Sequence, residues 1–233
     1  MSILLVHGAW HGAWCWSPVL TLLEARGVEA VAVDLPGHGA RRSAAPGVRL
    51  ADYAACVVEA AAGMTAPPLL VGHSMGGMVI SAAAETDPAA FRALLYLAAF
   101  LPKSGQSLFE LAAEQGERFG EVVDGEIHLD REEARRLFYE DCDPEQAAWA
   151  LDRIQPQPMG PAGDPVALTA ERFDRLARDY VVCARDRAID PAFQRQMAAR
   201  GACRTIVELD SGHSPFLACP SVLAQLLIDN IRG

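Results

Sequence analysis

Six short apolar runs punctuate the chain, at positions 3–6, 28–33, 68–71, 92–99, 180–183 and 205–209. Runs this short and unbroken read as strands buried on both faces. Between them lie Ala-, Leu- and Glu-rich stretches of helical length, at 16–26, 50–63 and 74–85. Strands that alternate with helices predict an α/β fold: a mostly parallel six-stranded sheet with helices on both faces. Such sheets bind ligands beyond the carboxyl ends of their strands, above all where strand order reverses, so the residues after each run are where chemistry is to be sought.

The alternation stops between 103 and 178. Charged helical stretches at 131–141 and 144–154 are followed by a Pro-rich segment at 155–165, and the strand pattern resumes at 180. An insertion of that length is more than a loop and is expected to form a helical cap that shapes substrate choice. The expected organisation is a core of residues 1–102 and 179–233 with a helical cap at 103–178.

Charge and cysteine content narrow the partners. With 20 basic against 30 acidic residues, a net charge of -10, and no basic cluster interleaved with aromatics, the chain is not expected to bind nucleic acid. The longest plainly apolar stretch, 94–101, falls far short of the ~18 residues of a membrane span. The first residues run directly into a strand with no basic leader, so the cytoplasm is the expected compartment. Six scattered cysteines without a CxxC pair suggest neither a zinc site nor a disulfide framework, and no metal or cofactor is expected. A homodimer is left open.

The chemistry-bearing motif follows the third run. Gly72-His73-Ser74-Met75-Gly76-Gly77 fits GxSxG in the order strand, turn, helix. A serine there sits on a sharp turn, and a glycine two residues to either side lets strand and helix approach. Ser74 is therefore the candidate nucleophile.

A serine hydroxyl needs a base, and with this motif the order along the chain is serine, acid, histidine. Two histidines follow Ser74. His128 lies in the insertion among acidic residues, whereas His213 follows the last strand run, so His213 is the candidate base. The acid should follow the preceding run, which leads into Ala184-Arg185-Asp186-Arg187; Asp186 would hold His213 in its working tautomer. Asp190, before Pro191, reads instead as a helix cap, and Asp210 lies only three residues before the base.

An anion site needs donors where negative charge develops. The N–H of Met75, directly after the nucleophile, is one candidate, and the N–H of Ala9, in the small-residue loop His7-Gly8-Ala9-Trp10, is the other. Most of Trp10, Trp14 and Trp16 are expected to pack the first helix onto the sheet. The Pro- and Gly-rich segment 34–39 reads as a turn without a catalytic role.

Together, HGAWHGAWCW, GHSMGG, ARDRAIDPAFQRQM and SGHSPF resemble the α/β-hydrolase group that contains plant methyl esterases and hydroxynitrile lyases, over nearly the whole chain. The segments 137–142, 149–151 and 155–158 resemble bacterial esterases of that fold. The resemblance implies Ser74, Asp186 and His213 as a triad and the N–H groups of Ala9 and Met75 as the oxyanion hole. The lyases typically carry a threonine where this chain has Gly8 and a lysine where it has Ser214. Gly8 instead leaves room at the substrate for an anionic oxygen, which favours hydrolysis of a small-molecule ester. The alternatives are a lyase or cyclase using the same Ser–His relay without a covalent intermediate, and a protein that binds a small acid.

Overall fold

The computed structural model describes residues 2–45, 47–116 and 120–232. Along the chain the elements are β1 (Ser2–Val6), α1 (Ser17–Glu24), β2 (Glu29–Val33), α2 (Leu50–Ala62), β3 (Leu69–His73), α3 (Gly76–Thr86) and β4 (Ala93–Leu97). After these come α4 (Leu108–Glu114), β5 (Glu121–Val123), β6 (Glu126–His128), α5 (Arg131–Phe138), α6 (Pro144–Leu151), β7 (Gln157–Pro158) and α7 (Met159–Gly163). The chain ends with β8 (Arg178–Cys183), α8 (Pro191–Arg200), β9 (Thr205–Leu209), α9 (Pro215–Ala218) and α10 (Pro220–Arg232).

Six strands form one parallel sheet in the order β2-β1-β3-β4-β8-β9. The unbroken apolar sequences of β1, β3 and β4 are buried at every position, as sheet covered on both faces requires. On α2, Leu50, Tyr53, Ala54, Val57 and Ala61 line one buried stripe at helical spacing. That helix packs against the small-residue helix α3, while α1 packs against α10.

The sheet's edges depart from the sequence expectation of burial. β9 is exposed at four of its five positions and β2 is mostly half-buried, because an edge strand has a neighbour on one side only. The reversal of strand order falls at β1, which pairs with β2 on one side and β3 on the other. Loops after β1 and β3 therefore part from each other there and open a crevice.

Between β4 and β8 the insertion carries helices and also a three-stranded antiparallel sheet, β5-β6-β7, which the charged helical pattern of that segment did not announce. Several of its polar atoms are tied to the core. Trp10 Nε1–H donates to the Ile127 carbonyl at 2.8 Å, the Gln155 N–H donates to the Trp10 carbonyl at 2.9 Å, and Arg42 grips Glu126 through two bonds of 2.6 and 2.8 Å. No helix among the described residues is long and apolar enough to cross a membrane.

Candidate active site

Ser74 sits at the tip of β3 with φ +54°, a left-handed conformation that strains a residue bearing a side chain. Its neighbours over-determine it: its N–H donates to the Leu97 carbonyl at 3.3 Å, and its carbonyl accepts from Gly77 N–H at 3.0 Å and Phe100 N–H at 3.1 Å. The flanking glycines have steric causes. A Cβ on Gly72 would lie 2.6 Å from the Gly76 carbonyl oxygen, and one on Gly76 would lie 2.9 Å from that of Val6. Strand and helix can thus meet at the serine only with bare backbone on both sides.

His213 follows β9 and is buried, with its Nδ1–H donating to Asp186 Oδ2 at 2.8 Å. That bond fixes the tautomer and leaves Nε2 as the basic lone pair. The His213 backbone is held from the serine side, because His73, the residue before Ser74, donates its Nε2–H to the His213 carbonyl at 2.8 Å. The structure thus brings Asp186 and His213 into direct contact and ties His213 to the turn that carries Ser74.

Asp186, just beyond β8, accepts the N–H groups of Ala188 and Ile189 at 2.8 and 3.0 Å on Oδ1. Its Oδ2 also accepts Gln194 Nε2–H at 2.8 Å. Gln194, fully buried in α8, is itself fixed through a second Nε2 bond to the Ile189 carbonyl and through the Cys183 N–H on its Oε1. Sequence reasoning missed this residue; its signal was a glutamine one turn into the helix that Asp190 begins. Asp190 caps that helix, accepting from Ala192 and Phe193 N–H, while Asp210 is an exposed partner of Arg185 and His128 lies exposed on β6.

The loop after β1 brings Gly8 against the serine: a Cβ there would sit 2.8 Å from Ser74 Cβ. Its carbonyls are committed elsewhere. Gly8 O accepts from His7 Nδ1–H at 2.8 Å and Ala9 O accepts from His11 Nδ1–H at 2.8 Å, while Trp10 turns the chain with φ +62°. Ala9 and Met75, the two candidate anion donors, are buried next to Gly8 and Ser74 respectively.

Trp10 is buried in the core, its ring centroid 5.7 Å from that of Phe138. With Ala9 it lines a largely apolar cavity of about 580 Å³ closed by Leu108, Phe109, Ala112 and Ile127 of the insertion. Beneath the cleft, His7 and His11 are lowered by burial to about 4 and about 3, and burial likewise lowers His38 and His73 well below the usual imidazole range. These rings are neutral scaffolding: His11 Nε2 accepts from Tyr139 OH at 2.6 Å and His7 Nε2 accepts from Leu35 N–H at 3.2 Å. Among the described residues no group of His, Cys, Asp and Glu is arranged to hold a metal.

A parallel sheet carrying a left-handed serine after its third strand, with a carboxylate–histidine pair after its last two, defines a class of hydrolytic folds. The chain belongs to the alpha/beta hydrolase family, whose profile matches residues 3–226. It is similar to salicylic acid-binding protein 2 of Nicotiana tabacum, 32% identical over 252 residues covering 97% of this chain and 95% of that one. Methylesterase 7 of Arabidopsis thaliana is 28% identical over 251 residues, covering 98% and 95%. The crystal structure of polyneuridine aldehyde esterase shares the fold with a TM-score of 0.88 at 24% identity, covering 99% and 98%.

Proposed function

We propose that this carboxylic ester hydrolase cleaves a methyl or other small ester through an acyl-enzyme on Ser74. The observation that carries the reading is the buried Asp186–His213 bond, joined through His73 to the strained turn of Ser74. Names of the relatives add weight on the side of esters.

In this mechanism Ser74 Oγ attacks the ester carbonyl while His213 Nε2 takes its proton. The N–H groups of Ala9 and Met75 hold the tetrahedral oxyanion, and the bare backbone of Gly8 gives that oxygen space. Collapse expels the alcohol, which receives the proton from His213. Water then attacks the acyl-serine with His213 again as base, releasing the acid and restoring Ser74. Residues 103–178 act as the cap, and the apolar cavity beside Ala9 takes the acid half of the ester.

The test is turnover of short-chain nitrophenyl and aromatic methyl esters by wild type and Ser74→Ala. Wild type should hydrolyse members of the panel, and Ser74→Ala should lose about 10³-fold or more in kcat. Full turnover by the alanine variant rejects the reading. One relative is named for binding salicylic acid, and this favours a second reading in which the same cavity binds a small aromatic acid. Saturable binding without turnover would select it.

A further inference from the structure

The last residue of α5 and the three that follow it reach across to the core around the site. The Phe138 ring lies 5.3 Å from the His213 ring, Tyr139 OH donates to His11, and Glu140 pairs with Arg187 at 2.5 Å. Asp141 reaches furthest. Its Oδ2 accepts the Gly212 N–H at 2.5 Å and Ser211 Oγ–H at 3.4 Å, and lies 3.6 Å from Arg185 Nη2. Arg185 directly precedes Asp186 and Gly212 directly precedes His213. The carboxylate of Asp141 therefore stands between the loop that carries the acid and the loop that carries the base.

Position 212 is shaped for this contact, since a Cβ there would come within 2.5 Å of Asp141 Oδ1. A bond from a backbone N–H to a carboxylate is charge-assisted and roughly twice as strong as a neutral one. Proton transfer needs the base held within about 0.5 Å of its working place. We propose that Asp141 is a positioning residue: from the insertion it fixes the backbone before His213, so the seating of Asp141 sets the reactivity of Ser74. This inference rests on the serine-hydrolase reading above.

The variants to compare are Asp141→Ala, Asp141→Asn and Glu140→Gln. Asparagine keeps an acceptor for Gly212, and its amide nitrogen would fall where Oδ1 has no hydrogen-bond partner. Glu140→Gln weakens the neighbouring ion pair between the insertion and Arg187 without touching the His213 loop. Two readouts are taken: the rate of Ser74 labelling by an alkyl fluorophosphonate, and the proton NMR signal of His213 Nδ1–H, assigned by its loss in His213→Gln. Asp141→Ala should label about tenfold more slowly with a broadened or missing imidazole signal, the loss of one charge-assisted bond being of that order. Asp141→Asn should stay within about threefold of wild type, and Glu140→Gln should match it. Gly212→Ala separates the same two groups from the other side and serves if Asp141→Ala does not fold; it should label as slowly as Asp141→Ala is expected to.

Wild-type rates and signal in Asp141→Ala, or an equal loss in Glu140→Gln, would overturn the proposal. A wild type that labels but cleaves no ester rejects the ester reading and leaves the comparison of variants to decide. If wild type does not label, the serine reading fails and the imidazole signal decides alone.

Discussion

Asp186 receives four hydrogen bonds, and one of them comes from the histidine it orients. The other three keep the carboxylate from turning, and the side-chain donor, Gln194, shares Oδ2 with His213. Gln194→Leu removes that donor and leaves the Cys183 N–H without its acceptor. We expect kcat to fall about tenfold with KM unchanged, and stability to fall by about 1–3 kcal/mol; a steady-state comparison and a urea melt read both. Gly8→Ala works by crowding, because the new Cβ would press on Ser74 Cβ. Ester turnover should drop by at least about tenfold while circular dichroism is unchanged. A Gly8→Ala enzyme of wild-type rate would remove the argument for bare backbone there. At this scale the residues proposed for the site were readable because strand ends and motif order mark them. Gln194 and Asp141 were not: the place of Gln194 one turn into its helix does not say which carboxylate it reaches 8 residues away, and nothing near Asp141 points to a loop 71 residues on.

The positions of the buried strands were legible in unbroken apolar runs, whereas edge exposure was not, since an apolar run does not say how many neighbours it will have. β9 leaves Ile206 and Val207 exposed for this reason. The small sheet of the insertion did have a signal: Asp124-Gly125 between short β-prone segments marks a tight hairpin, and both residues adopt positive φ. Charged helices on either side masked it. Among the insertion's elements α4 contributes most to the cavity proposed for the acid half of the ester, with Ala112 and Ala113 beside Ala9 and Trp10. Ala112→Phe would fill part of that space. Turnover of aromatic esters should fall about tenfold or more relative to acetate, which needs less room. An unchanged preference, measured as the ratio of kcat/KM values, would move the acid half of the substrate elsewhere.

Across the whole molecule the net charge of -10 coexists with five buried histidines out of six, at positions 7, 11, 38, 73 and 213. Burial lowers His7 to about 4 and His11 to about 3. In the unfolded chain the same groups take up protons near pH 6.5. The unfolded state thus binds more protons as pH drops below that value, so stability that is fully present above it drains away towards pH 4. For these two histidines the loss at pH 5 is about 2 kcal/mol each, because each pH unit below the unfolded value costs about 1.4 kcal/mol. His38 and His73, lowered in the same direction, deepen the loss. In a chain of this length the melting temperature should fall by on the order of ten degrees between pH 7 and 5. Thermal scans in buffers of matched ionic strength measure it, and a flat or rising profile would mean that the rings are charged in the folded state. Such a charge would stand beside His213, whose ring centroid lies 4.6 Å from that of His73, and would oppose the imidazolium that the proposed mechanism must form. Neutral histidines under the cleft therefore serve the proposed chemistry at the cost of acid tolerance.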